Sequence, residues 1–150
     1  MAGPQIGIDE QSKYVNEVTQ GIVQRLPGSW SKAEFTYVAA GGTSSYELGV
    51  TMVDDTSTQV HDVPLTSVRA LMRLRRGMYR EGAGTRFTAT FTVHSSLKCE
   101  THFDYESEPN FPIGITPASF VEDLKRFPRD EKNIPDWLRM KLQKAQKGPF

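Results

Sequence analysis

Apolar residues recur along this chain with two different periods, and the switches between them mark out its elements. Over residues 9–26, Tyr14, Val15, Val18, Ile22 and Leu26 return at steps of about four, the spacing of one helical stripe. Asp9 stands where its carboxylate can cap the first turn, and Pro27-Gly28 stops the helix. The period then drops to two. Ala33, Phe35, Tyr37 and Ala39 alternate with polar or small residues, and Gly41-Gly42-Thr43-Ser44 turns the chain. Tyr46, Leu48, Val50 and Met52 then alternate with Glu47, Gly49 and Thr51. This is the pattern of an antiparallel hairpin with one buried face. Asp54-Asp55-Thr56 breaks it, and residues 58–63 add a short third strand.

The second half repeats the scheme. Thr66 caps a helix over residues 67–81, with Val68, Leu71, Met72, Met78 and Tyr79 on its apolar side and Gly82 and Gly84 at its end. Phe87, Ala89, Phe91 and Val93 alternate with Arg86, Thr88, Thr90 and Thr92, the clearest strand in the chain. After a turn at His94-Ser95-Ser96, Leu97, Cys99, Thr101, Phe103 and Tyr105 form one phase of a further strand. Lys98, Glu100, His102, Asp104 and Glu106 form the phase that faces solvent or a partner. Pro109, Pro112 and Pro117 punctuate a loop around Phe111, Ile113 and Ile115. Thr116-Pro117 starts a helix with Phe120, Val121, Leu124 and Phe127 as its stripe. Pro128 ends it, and Asn133-Ile134-Pro135 opens a last helix carrying Trp137, Leu138, Met140 and Leu142.

The order α-β-β-(β)-α-β-β-α-α predicts an α+β fold: an antiparallel sheet of two hairpins, four to five strands in all, with helices packed on one face. The alternative is a more open sheet whose tail helices cover the second face. The 150 residues make one domain, with 1–8 a flexible start and 143–150 a frayed tail. Within the tail, Phe103, Tyr105, Phe120, Leu124, Phe127 and Trp137 are packing residues, and Trp30 packs the first helix-to-strand corner.

Charge narrows the function. Lys plus Arg and Asp plus Glu stand at 18 each, so the net charge is zero, which argues against a general nucleic-acid binder. The single cysteine, Cys99, gives no intramolecular disulfide, and its place on the apolar phase of a strand predicts a core thiol. The start lacks the basic region and apolar run of a signal peptide, and no stretch reaches the ~20 apolar residues of a membrane span. The expected location is the cytoplasm.

No pattern of metal ligands, nucleophile elbow, P-loop or dinucleotide fingerprint is present, and no cofactor is expected. His61, His94 and His102 read as structural or surface histidines. The expected function is therefore to bind a partner rather than to catalyse. Asp104, Glu106, Glu108, Asn110 and Phe111 are the candidate binding residues, because aromatics are interleaved with the carboxylates, and buried aromatics ringed by charges are the usual anchors of interfaces. A solvated acidic edge is the plainer reading of the same residues. Asp54 and Asp55 form a second candidate patch. Arg69, Arg73, Arg76 and Arg80 fall on one side of the central helix at ~100° per residue. That stripe is either a solvated face paired with Glu81 and the acidic strand edge, or the site of a nucleotide- or RNA-binding regulator.

The tail also carries a resemblance. Phe103-Asp104-Tyr105-Glu106-Ser107-Glu108-Pro109, the run from Phe120-Val121-Glu122-Asp123-Leu124 to Phe127-Pro128-Arg129-Asp130, and Ile134-Pro135-Asp136-Trp137-Leu138 resemble immunity proteins of bacterial polymorphic toxin systems. The similarity is greatest to the actinobacterial branch of the YezG-like family. It covers residues 13–142, and is pattern-level before Phe103. It implies a cytoplasmic antitoxin that binds the toxic domain of a secreted effector, in a one-to-one complex, and blocks its active site. The implied toxin is a NAD glycohydrolase or a nuclease. The zero net charge tilts this toward the former, because immunity to a basic nuclease commonly uses a surplus of acid for steering.

Overall fold

The sheet is built outward from its first and longest strand. The structure, a computed structural model, describes residues 6–147; the remainder of the predicted flexible start and of the predicted frayed tail lies outside the described residues. Five strands, β1 (Trp30–Ala40), β2 (Thr43–Met52), β3 (Ser57–Val60), β4 (Thr88–His94) and β5 (Cys99–Asp104), pair in the order β3-β2-β1-β4-β5. Every pairing is antiparallel. Phe35 stands between Leu48 and Phe91, and Ala33 between Val50 and Val93. Period-two alternation therefore places Phe35, Leu48, Val50, Phe91 and Val93 on one face.

That face is covered by α1 (Ile8–Val23) and α2 (Leu65–Gly77), and the joint core includes Val18, Ile22, Leu71, Leu74, Phe35 and Phe91. The two helices approach closely where Gly21 meets Ser67, whose Oγ donates to the Val18 carbonyl at 3.1 Å. A side chain at position 21 would occupy the space of that hydroxyl.

The tail takes the opposite phase of β1. Helices α3 (Pro117–Arg126) and α4 (Asp136–Lys147) bring Phe120 and Leu138 onto Val38, Ala40, Phe87 and Phe111. Phe87, Phe120 and Trp137 meet pairwise edge-to-face at 5.4–5.9 Å, each pair contributing about 0.5–1.5 kcal/mol beyond its buried area. Helices thus pack on both faces, as in the more open alternative, but the second face is covered only at the Ala40 end. Toward Trp30 it stays a polar surface of Lys32, Glu34, Thr36, Thr90 and Thr92.

Several boundaries differ from the sequence reading. α1 begins at Ile8 with Gly7 at its cap, so Asp9 sits in the first turn and favours the helix through its dipole instead. α2 starts at Leu65, ahead of Thr66, and stops at Gly77 rather than near Glu81. The early stop has a tertiary cause: Ile6 donates to the Gly77 carbonyl at 3.0 Å and packs where a Cβ on residue 77 would be. α4 stays helical to Lys147, through much of the stretch expected to fray. Cys99 is exposed, not buried. It shares the apolar phase of Phe91 and Val93, but β5 is the outer strand and the helices cover the middle of the sheet. What burial it has, and the neighbouring Glu100 charge, push its thiol pKa up. Among the described residues no helix is long and apolar enough to cross a membrane.

Candidate partner-binding surface

Asp104 ends β5 and turns the chain. Its Oδ1 accepts from the backbone N–H groups of Glu106 and Ser107, both at 2.9 Å. These bonds, that from Ser107 foremost, hold its carboxyl below the usual carboxylate range. The loop that follows is pinned from below. Trp137 Nε1 donates to the Glu106 carbonyl at 2.7 Å, Pro109 is buried, and Phe111 is only 8% exposed within the tail cluster. Phe111 is therefore not free to meet a partner; its ring anchors the loop.

The polar residues of the same loop stay outside. Glu106, Glu108 and Asn110 are exposed, Glu108 facing Lys141 at 3.7 Å. Asp104, Glu108 and Asn110 line one cleft of about 240 Å³ with Thr36, Thr88 and Glu47. Glu47 comes from the polar phase of β2 and has no ion pair among the described residues. The carboxylates of β2, β5 and the loop thus converge, although they are far apart in sequence.

Two apolar residues complete this surface. Ile113 is 98% exposed. Its position follows from Pro112 and Gly114: the Gly114 N–H donates to the Phe111 carbonyl at 2.9 Å, closing a turn with Ile113 at its tip. Pro112 and Ile113 line a neighbouring cleft with Ser45, Tyr46 and Glu47, and Tyr46 is 37% exposed. β2 has no outer neighbour here, since β3 pairs with it only from Leu48 onward.

Asp54 and Asp55 are not part of this surface. They turn β2 into β3 beside Met52, which opposes Trp30, whereas Asp104 opposes Thr88 and through it Val38. Roughly 25 Å of strand separates the two patches. Asp54 accepts from the Thr56 hydroxyl and amide, the hydroxyl chief among the bonds that lower its pKa, and Asp55 takes a left-handed φ of 67°. Both residues are occupied in making the turn.

The arginine stripe is also redrawn. Because α2 ends at Gly77, only Arg69, Arg73 and Arg76 share its outer face, while Arg80 lies beyond it with its guanidinium 4.6 Å over the Tyr105 ring. The expected pairing with Glu81 and the strand edge is absent: among the described residues none of the four has an ion pair within 4.0 Å. His94 faces Glu100 at 3.5 Å, and no three His, Cys, Asp or Glu among the described residues cluster as a metal would need.

A comparison with models of known protein families gives no match, and a comparison with curated proteins gives none either.

Proposed function

We propose that this chain is a cytoplasmic immunity protein, which binds the toxic domain of a secreted effector one-to-one and blocks its active site. The observation that supports this most is the surface of Glu47, Asp104, Glu108 and Asn110 beside the exposed Tyr46 and Ile113. Apolar tips ringed by carboxylates suit a partner face that is cationic around a shallow apolar hollow. Enzymes acting on NAD or nucleic acid must hold phosphates with cations. A protein that lays carboxylates over those cations competes with the substrate for the same charge-assisted bonds. The tail resemblance points to the same class of partner.

The test is co-expression with the C-terminal domain of the large secreted protein that a neighbouring gene should encode. Rescue is expected, with co-purification at low-nanomolar affinity, about 12 kcal/mol. Survival no better than with an empty vector rejects the immunity reading. Glu47→Lys combined with Glu108→Lys should weaken the complex at least about tenfold by reversing charge at the interface. Unchanged binding by a folded double variant places the interface elsewhere.

A second reading rests on the unpaired Arg69, Arg73 and Arg76: a regulator that binds RNA along α2. Filter binding at low salt tests it, and a complex that ignores Arg69→Gln with Arg73→Gln removes it.

A further inference from the structure

On the helix side of the same hairpin end lies a second, larger cleft of about 470 Å³, walled by the β1–β2 turn, α2 and the end of α3. We propose that it binds a phosphorylated small molecule: a phosphate monoester held by Arg75, Arg76 and Arg126, with a flat apolar body against Tyr37, Met72 and Phe127.

The case begins with Arg75, which is 6% exposed and fixed in place. Its Nε donates to the Arg86 carbonyl at 3.0 Å, and its Nη1 pairs with Asp123 at 2.7 Å. Asp123 Oδ1 also accepts from the Gly41 N–H at 2.9 Å. Arg75 Nη2 is buried with no partner. Unpartnered buried donors are rare and costly, and this one belongs to a residue that also lines the cleft. The other two guanidiniums are available. Arg76 is exposed and has no ion pair among the described residues, and Arg126 is held only by an exposed Glu122 at 3.5 Å.

The charge balance favours an anion. Behind the cleft lies Arg86, with no exposed surface and with Nε and Nη1 unpartnered; its single bond is from Nη2 to the Leu71 carbonyl at 3.4 Å. Burial first, and the charge of Arg75 second, push it down to about 9. Of the three guanidiniums that line the cleft, Arg75 pairs with Asp123 and Arg126 with Glu122, which leaves Arg76 without an ion pair among the described residues. This cation surplus, with the buried Arg86 behind it, suits the negative charge of a phosphate monoester, about −1.5 to −2 near neutral pH. Guanidinium forks suit phosphate geometry. The volume falls within the range of small-molecule sites. Met72, an apolar residue 54% exposed between the arginines, is the surface a base or other flat group would cover. Arg69 and Arg73 line a separate cleft against α1, so of the RNA stripe only Arg76 is shared with this site, which does not overlap the carboxylate surface.

Thermal shift and calorimetry on the whole chain with inorganic phosphate, adenosine 5′-monophosphate, adenosine and a short single-stranded RNA test this. Phosphate and the monophosphate should raise Tm, the monophosphate more, and adenosine should not. Arg76→Gln with Arg126→Gln, both exposed, should leave the ligand-free Tm unchanged and cut monophosphate affinity about tenfold or more. No response to phosphate or the monophosphate at low ionic strength overturns the proposal. So does equal affinity in the double variant, or binding of RNA alone.

Discussion

The two clefts flanking the β1–β2 hairpin end carry opposite charge and are built in opposite ways. On the helix side, the guanidinium of Arg75 is locked into a buried network with Asp123, Gly41 and the Arg86 carbonyl. On the open side, the carboxylates stand on an outer stretch of strand and a loop, where water can solvate them. One cleft is part of what holds the fold together; the other is mounted on it. The difference also reinterprets the zero net charge. It is the sum of an arginine-bearing α2 with no carboxylate in it and a carboxylate-rich sheet end, so whole-chain composition understates what each surface presents.

On this contrast, substitutions near Arg75 should cost stability and those on the open side should cost binding. The largest effect is expected from Asp123→Ala. It strands a buried Arg75 and frees the Gly41 amide, and should lose about 3–5 kcal/mol in chemical denaturation. A loss under about 1 kcal/mol would show that the pair does not fasten the tail to the hairpin. Gly41→Ala comes next. Gly41 has φ of 60° and a Cβ there would meet the Ser119 carbonyl at 2.5 Å, so about 1–3 kcal/mol should be lost. Asp104→Ala removes a turn-forming acceptor and should cost about 1 kcal/mol at neutral pH, as for a lost capping side chain. Because the folded pKa of Asp104 is lowered, its contribution is present above the unfolded value of about 4 and fades as pH falls through the folded one. The Tm gap between wild type and variant should therefore close in acid. A gap that persists there would assign the cost to something other than ionisation. Smallest is Ile113→Ser, within about 0.5 kcal/mol in stability yet weaker in the proposed partner complex. A clear loss of Tm would mean that the loop tip packs rather than waits for a partner.

The alternation of the strands and the order of the elements were legible because each apolar stripe reports its own local period. The buried ion pair also has a signal in the sequence. Arg75 lies four residues after Leu71 and three before Met78, and Asp123 three after Phe120 and four before Phe127. Opposite charges placed inside two apolar stripes are the signature of a pair that bridges them. Other features had no local signal. The end of α2 depends on Ile6, far away in sequence, and the exposure of Cys99 depends on which strand ends up outermost. The carboxylate surface was half legible. Asp104, Glu108 and Asn110 share a loop end, but Glu47 joins them only through the sheet, and Phe111 looked available until the tail core formed around it. Ile113 carried its own clue, since a residue between Pro and Gly is placed at a turn tip.

The exposed thiol on the last strand has a practical consequence. Cys99 opposes Val93, which opposes Ala33, so it lies roughly 25 Å of strand length from the Gly41 end where both clefts open. The chain has no second cysteine to compete with it. A fluorophore or surface tether coupled there would report on either cleft without touching it, in the natural sequence. Its raised pKa calls for mildly alkaline coupling conditions.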